Sequence, residues 1–194
     1  MKVVIVSKDN PWSKNLVQKL KKQNFETVWL KEITKEKLAH HNPDWVFFFH
    51  WSEIVKRDIY DSFRCVVVHT GNLPQHRGGS PIQNQILRGV KISNVNLLTM
   101  EKEVDSGKIY CKQEISLQGA LLEIWLLISE VTAKLITDCV QKRLVPKEQK
   151  KLDIAQPFSR RVKQPVDFNS PTAIEGIYDQ IRMMDAHGYP QAYI

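Results

Sequence analysis

The stretch CVVVHTGNLPQHRGGSPIQNQILRG, residues 65–89, decides the fold. Its apolar run, residues 65–68, predicts a buried strand that delivers His69 onto a loop rich in glycine and proline. A helix is expected to begin at Ser80 and to end at Gly89. In open α/β proteins, ligands bind where buried strands end and such loops begin. The stretch therefore predicts an α/β protein with a functional site around His69.

Strand-like runs alternate with amphipathic helical runs through the first half of the chain. Strands are predicted at residues 3–6, 27–30, 45–49, 65–68, 95–100 and 108–115. Helices are predicted at residues 11–22, 34–41, 53–61, 80–88, 121–143 and 172–185. Thr34 is expected to cap the second helix, and one face of the last helix is expected to be apolar, with Ile174, Ile177, Tyr178, Ile181 and Met184. Because strands and helices alternate, we expect a Rossmann-like, mostly parallel sheet with helices on both faces. The last two strands form a hairpin, and residues 149–171 are expected to lie over the surface.

Length, composition and cysteine usage indicate one soluble α/β domain. The 194 residues are 42% hydrophobic and 25% charged, which excludes disordered and fibrous classes. No apolar run approaches the roughly 20 residues that cross a bilayer, so no membrane association is expected. Residues 1–150 are predicted to form a catalytic core, and residues 151–194 an extension that packs on it. Cys65, Cys111 and Cys139 have unrelated spacings, which indicates buried thiols in a reducing compartment, the cytoplasm.

Positive charge is concentrated near the end of the chain. The net charge is +7, and residues 141–165 hold eight Lys and Arg against Glu148 and Asp153. Two interpretations stay open: a solvated basic face, or attraction of an anionic ligand such as a nucleotide, a polyglutamate tail or RNA. RNA binding ranks lowest, because the excess charge is modest and no RNA-binding motif is present.

Several sequence motifs with known chemistry are absent. The turn after the first strand, SKDNPWSKN, has neither a dinucleotide fingerprint nor a phosphate-binding loop. The chain also lacks HExxH and CxxC metal motifs and the GxSxG motif of hydrolases. We therefore expect chemistry that needs neither a metal nor a redox step.

Two polar groups are the first candidates for that chemistry. A lone histidine is more often structural, but His69 has Asn72 and the cationic Arg77 close by in sequence. Gly78-Gly79 is expected to let the backbone approach a ligand closely. Asp105 could act as the carboxylate partner of His69, although Asp105-Ser106-Gly107 also suits a simple tight turn.

A third candidate is the aromatic stretch at the end of the third strand. Trp51, beside Phe49 and His50, could form an apolar wall for a heterocycle. An interior aromatic cluster explains the same residues at least as well.

Together these stretches resemble the formyltransferase family that uses N10-formyltetrahydrofolate. HTGNLPQHRGGSPIQ, residues 69–83, resembles the family segment H-x-S-x-L-P-x-x-R-G-x-x-P-I-Q. EKEVDSGKIY, residues 101–110, resembles the loop that carries the family's essential aspartate, at Asp105. FSRRVKQPVDF and YDQIRMMDAHGYPQAYI, residues 158–168 and 178–194, resemble two later family segments. The resemblance runs in order over essentially the whole chain and implies the formyltransferase fold.

The resemblance implies a role for each candidate residue. Catalysis is assigned to His69, Asp105 and Asn72. Binding of N10-formyltetrahydrofolate, without a metal, is assigned to Phe49, His50, Trp51, Glu101, Glu103 and Val104. Binding of the acceptor is assigned to Pro74, His76, Arg77, Gly78, Gly79 and Gln83.

Within the family, the motifs look most similar to sugar N-formyltransferases, which implies an anionic, nucleotide-linked aminosugar as acceptor. Acceptors of the methionyl-tRNA or glycinamide ribonucleotide type are the alternatives, although tRNA enzymes carry a further β-barrel domain for which 194 residues leave no room. Val67 stands where the family has an asparagine that binds the formyl oxygen. A non-catalytic folate- or nucleotide-binding relative therefore also stays open, as does a homodimer.

Overall fold

A computed structural model of the chain describes residues 1–150, 157–161 and 174–193. The strands are β1 (Lys2–Val6), β2 (Glu26–Leu30), β3 (Trp45–Phe48), β4 (Cys65–Thr70), β5 (Ile92–Thr99) and β6 (Ile109–Ser116). The helices are α1 (Pro11–Leu20), α2 (Lys35–His41), α3 (Arg57–Tyr60), α4 (Pro81–Ile86), α5 (Leu121–Gln141) and α6 (Ile174–Arg182). The stretch 149–171, predicted to lie on the surface, falls largely outside the described residues.

The six strands form one sheet in the order β2-β1-β3-β4-β5-β6. The pairings among β2, β1, β3 and β4 are parallel, whereas β5 and β6 add an antiparallel hairpin at the β4 side. Val3, Val4, Ile5 and Val6 are all fully buried, as a strand covered on both faces requires. Alternate strand residues pack in two clusters, one with α1 and α5 and the other with α2 and α3. The predicted α/β fold, with helices on both faces, is confirmed.

β4 extends beyond its predicted end, and this changes the place of His69. Pairing with β5 continues through His69–Asn96 and Thr70–Val95, so His69 lies in the strand and not on the loop that follows. The Asn96 side chain donates to the carbonyl oxygens of His69 and Gly71, at 3.1 and 2.8 Å. The antiparallel neighbour therefore satisfies backbone groups that a strand end would leave to a loop.

Two predicted helices are shorter in the structure. The predicted helix 53–61 is reduced to α3, since Lys56 has extended backbone angles and the helix begins only after it. The predicted helix 80–88 is reduced to α4, and Ser80 lies before it with a left-handed φ of 45°. By contrast, the Thr34 side chain caps α2 by accepting from the Lys37 amide, as predicted.

Helix α6 buries a charged pair where an apolar face was expected. Ile174 is 84% exposed and Tyr178 is 55% exposed, whereas Asp179 and Arg182 are buried. The Arg182 guanidinium donates to Asp179 and to the carbonyl oxygens of Leu117 and Gly119. These carbonyls lie between β6 and α5, so they need donors that apolar side chains lack.

Replacing Arg182 with methionine is expected to destabilise the fold by about 3 kcal/mol, because Asp179 and two carbonyls lose their buried partner. Chemical denaturation monitored by circular dichroism measures the difference. Lys142→Met, which breaks the exposed pair with Asp138, is the control and is expected to cost less than about 0.5 kcal/mol. Equal stability of the two variants would contradict a structural role for the buried pair.

The thiols behave as small buried groups. Cys65 and Cys139 are buried and Cys111 is partly buried, and all three are unpaired. Burial raises the pKa of Cys65 and of Cys139 to about 12. Within the described part of the chain, no helix is long and apolar enough to cross a membrane.

Candidate active site

His69 and Asp105 meet as the structure's buried histidine–carboxylate pair. His69 Nδ1 lies 3.3 Å from Asp105 Oδ2, and the side chains are only 6% and 8% exposed. His69 comes from the end of β4, and Asp105 from the loop between β5 and β6. The predicted partnership therefore depends on the antiparallel hairpin, which carries Asp105 back beside β4.

The second ring nitrogen of His69 is also engaged. Nε2 lies 2.6 Å from the carbonyl oxygen of His76. Both ring nitrogens thus face oxygen acceptors, an arrangement that the doubly protonated ring satisfies, because a neutral ring has one N–H only. The site therefore presents an imidazole that is largely shielded from water and has an oxygen atom beside each ring nitrogen.

Asp105 is held from several sides. Its Oδ2 accepts from the Gly78 amide at 3.0 Å, in addition to His69. Its backbone is left-handed, with φ 56°. The carboxamide of Gln149 donates to the carbonyl oxygens of Asp105 and Gly107, at 2.8 Å each. Gln149 was not among the predicted site residues, and its place 44 positions along the chain explains why no local motif marks it.

The two glycines of the predicted acceptor loop admit the chain's own backbone. The Gly79 amide donates to Phe158 O, and the Phe158 amide donates to Arg77 O. A Cβ on Gly78 would lie 2.5 Å from Phe158 O, and one on Gly79 would lie 3.1 Å from Arg160 Cα. Residues 157–161 occupy the space beside these two glycines. The expectation that a ligand approaches the backbone there is therefore wrong.

The remaining residues predicted for the acceptor lie around this loop. Pro74 follows a cis peptide bond. His76 stacks on Phe158, with ring centroids 5.1 Å apart, and its Nδ1 lies 3.0 Å from the Gln85 side chain. Arg77 Nη2 donates to Gln149 Oε1 at 2.8 Å. Gln83 is only 2% exposed, so it lies below the surface of the loop.

Asn72 is not directed at His69. Its Oδ1 accepts from Asn94 at 2.7 Å and its Nδ2 reaches the Ile92 carbonyl oxygen, so the side chain runs along β5. The structure brings Asp105 to His69 but leaves Asn72 on the far side of the turn. Its catalytic role stays a prediction without geometric support.

No neighbouring strand residue replaces the asparagine missing at Val67. Val67 pairs with Phe48 on β3 and with Leu98 on β5, so all three positions at this level are apolar. Asn96, opposite His69, directs its amide N–H groups at backbone carbonyls. The strand positions beside Val67 therefore offer no side-chain donor at this level of the sheet.

The three aromatic residues after β3 diverge. Phe49 is fully buried in the core against Trp125. His50 Nε2 bonds the Tyr189 hydroxyl at 3.0 Å, and its ring packs edge-on against Trp125. Trp51 turns to the opposite face, where Lys8 lies over its ring. The interior aromatic cluster thus accounts for Phe49 and His50, whereas Trp51 packs against the core cluster on the other face. A wall for a heterocycle stays a prediction for Trp51.

His50 gives the fold a pH dependence. Burial, with a contribution from the charge of Arg160, lowers the pKa of His50 to about 4. Unfolding returns it toward 6.5, so stability is intact above that pH and is lost as the pH falls toward 4. We expect a loss of about 2 kcal/mol across this window. Denaturation at several pH values measures this loss of stability. His50→Asn is expected to flatten the dependence of stability on pH, and asparagine tolerates the left-handed φ at this position. An unchanged dependence in this variant would contradict the assignment to His50.

The loop predicted to bind the folate borders an open groove. Glu101 and Lys102 line it together with Arg57, Tyr60, Asp61 and Met100, and it encloses about 340 Å³. This volume lies at the lower end of the range for small-molecule sites. Val104 is 59% exposed, and Glu103 O is bonded to Ser106. Among the described residues, no three His, Cys, Asp or Glu side chains cluster as a metal site.

Comparison with known proteins identifies this arrangement. A family model described as "Formyl transferase" matches residues 29–119, the segment that contains both His69 and Asp105. A solved structure of methionyl-tRNA formyltransferase from Clostridium thermocellum is 34% identical, with a TM-score of 0.91. The alignment covers 99% of this chain and 86% of that chain. The chain belongs to the formyltransferase family. The family expected from the motifs is thus confirmed.

Other relatives of this formyltransferase differ in length and name. Methionyl-tRNA formyltransferase of Campylobacter lari is 32% identical over 133 residues, 65% of this chain and 44% of the relative. The chain spans less than half the length of the first curated relatives it matches. Residues 166–194 match a model described as "Methionyl-tRNA formyltransferase, C-terminal domain". A 4-N formyltransferase from Francisella tularensis shares the fold, at TM-score 0.69 and 14% identity, so the sugar subtype is not confirmed.

Proposed function

We propose that this formyltransferase moves a formyl group from N10-formyltetrahydrofolate to a primary amine, with His69 and Asp105 as its catalytic pair. The buried contact between these two side chains carries the proposal, because it joins the two motifs that resemble the family's catalytic segments. Bound N10-formyltetrahydrofolate supplies the activated formyl group.

A protonated His69 ring would carry the charge that stabilises an oxyanion, and the Asp105 carboxylate lies where it would hold that ring in place. Asp105 also offers an acceptor for a proton released by the attacking amine, directly or through a water. His69 Nε2 is bonded to His76 O. When the formyl oxygen develops negative charge, this N–H must leave the His76 carbonyl oxygen or be shared between the two oxygens.

The groove beside Glu101 is the proposed site for the folate. Its lining residues Glu101 and Lys102 belong to the same loop between β5 and β6 as Asp105. Arg57 and Lys102 line the groove and suit the carboxylates of a glutamate tail. Residues 101–104 offer backbone donors and acceptors to a pterin edge.

For the acceptor we favour an aminoacyl amine of the methionyl-tRNA type over the aminosugar that the motifs alone suggested. Relatives that are 32% and 34% identical carry the methionyl-tRNA name, and the solved structure among them matches nearly all of this chain. The net charge of +7 does not choose between the two acceptors, because a tRNA and a nucleotide-linked sugar are both anionic. A nucleotide-linked aminosugar stays the second candidate, supported by the loop sequence at residues 69–84.

The test is a transfer assay with radiolabelled N10-formyltetrahydrofolate and two acceptors in parallel, initiator methionyl-tRNA and a nucleotide-linked 4-amino-4,6-dideoxyhexose. Formylation of the tRNA with a steep salt dependence is expected. Label on the sugar alone would select the second candidate. Saturable binding of 5-formyltetrahydrofolate without transfer to either acceptor would instead favour a non-catalytic folate-binding protein.

A further inference from the structure

Gln149 connects the two loops on which the proposed reaction depends. Its carboxamide nitrogen donates to the carbonyl oxygens of Asp105 and Gly107, and its oxygen accepts from Arg77 Nη2, at 2.8 Å in each case. The reversed amide orientation would direct the oxygen at two carbonyl oxygens, so the hydrogen-bond pattern assigns this orientation. The side chain thereby uses both of its N–H groups and one oxygen lone pair.

The backbone around Gln149 is held independently of the site. Lys147 and Ile109 exchange two backbone hydrogen bonds, at 2.8 and 2.9 Å, so the chain after α5 runs along the free edge of β6. Glu148 adds an ion pair with Lys108, at 2.8 Å. The carboxamide is therefore presented to the loop from a segment that is already fixed to the sheet.

The loop that receives Gln149 needs such support. Asp105 has a left-handed backbone, with φ 56°, and such a residue keeps this conformation only where its surroundings hold it. Gln149 binds the carbonyl of Asp105 and the carbonyl two residues later. These two hydrogen bonds fix the backbone of Asp105, and from it the carboxylate points toward His69 Nδ1 and the Gly78 amide.

We propose that Gln149 is a positioning residue for formyl transfer. It holds the Asp105 carboxylate against His69, and through Arg77 it ties the loop of Asp105 to the acceptor side of the site. This inference rests on the proposed function. The carboxamide nitrogen is expected to affect kcat, because it binds the loop that carries Asp105. The carboxamide oxygen is expected to affect the KM for the acceptor, because it binds Arg77.

Two substitutions separate those effects. Gln149→Glu keeps an oxygen for Arg77 but loses both N–H donors, whereas Gln149→Met, of similar length, loses all three contacts. We expect kcat to fall about 10- to 100-fold in both variants, from the loss of two hydrogen bonds at the catalytic loop. The KM for the acceptor is expected to rise in Gln149→Met only. Glu148→Gln, which removes the neighbouring exposed ion pair, is the matched control and should keep both constants.

A second measurement needs no turnover. In ¹⁵N-labelled protein, the ring nitrogen signals of His69 report its contact with Asp105, and they are expected to move in both Gln149 variants but not in Glu148→Gln. Unchanged His69 signals in folded Gln149→Met would overturn the proposal, and so would an unchanged kcat. If the wild-type protein transfers formyl to neither acceptor, the proposed function fails and the His69 signals alone decide the role of Gln149.

Discussion

Replacing His69 with alanine is expected to lower kcat about 10³-fold, because the ring supplies both the oxyanion donor and the proton-bearing group. Asp105→Asn keeps the shape of the side chain but loses its charge, and is expected to lower kcat about 10²-fold. The chain lacks the family's asparagine at Val67, so more of the rate depends on His69 than in relatives that keep it. Single-turnover formyl transfer, with the better of the two acceptors, measures both effects.

Two controls separate chemistry from folding in this experiment. His40 is an exposed histidine of α2 on a distant surface, and His40→Ala should leave kcat unchanged. The near- and far-ultraviolet circular dichroism of Asp105→Asn should match the wild type, since asparagine can still accept from the Gly78 amide. Full turnover in folded His69→Ala would remove the catalytic assignment, whatever the identity of the acceptor.

Local sequence patterns predicted most of the sheet correctly. Continuous β-branched and aromatic runs mark β1 and β3, because strands buried on both faces need apolar residues at every position. The end of β4 was placed too early, since His69 and Thr70 are polar and look like loop residues. Only the pairing with β5, a contact between distant segments, shows that the strand continues.

The face of α6 was misjudged for a related reason. Helical spacing groups Ile174, Ile177, Tyr178, Ile181 and Met184, and this pattern normally marks the buried side. Met184 is buried as expected, whereas Ile174, Tyr178 and Ile181 are exposed. The carbonyls of Leu117 and Gly119, which need a donor, decide the orientation instead and draw Arg182 inward. Where partners of a buried charge come from distant segments, periodicity within the helix does not reveal them.

The contact between His69 and Asp105 could be predicted, but the residues that support it could not. His69 and Asp105 lie in motifs whose residue types and order resemble a known family. Gln149 and Phe158 have no motif of their own, and they reach the site only after α5 has brought the chain back along β6. The close approach at Gly78 was read as space for a ligand because a sequence does not show which segment fills it.

Gly107→Ala is expected to destabilise the protein by about 4 kcal/mol or more, among the largest effects of a single substitution. A Cβ at this buried position would lie 1.8 Å from the carbonyl oxygen of Thr99 and 2.7 Å from its carbonyl carbon. Backbone atoms cannot relieve such a clash by changing rotamer, as a flexible side chain can. Thr99 must therefore shift, which breaks its hydrogen bonds with Lys108 at the base of the loop that carries Asp105.

Gly89→Ala is the matched control for this substitution. Gly89 has a left-handed φ of 70°, but a Cβ there meets nothing within 4 Å, so only the backbone cost of about 1 kcal/mol is expected. Thermal and urea denaturation of both variants measure the difference. Because Gly107 O also accepts from Gln149, Gly107→Ala should lose formyl transfer at temperatures where it is still folded, whereas Gly89→Ala should not. Similar stability and activity of the two variants would mean that the base of the loop can shift without disturbing Asp105.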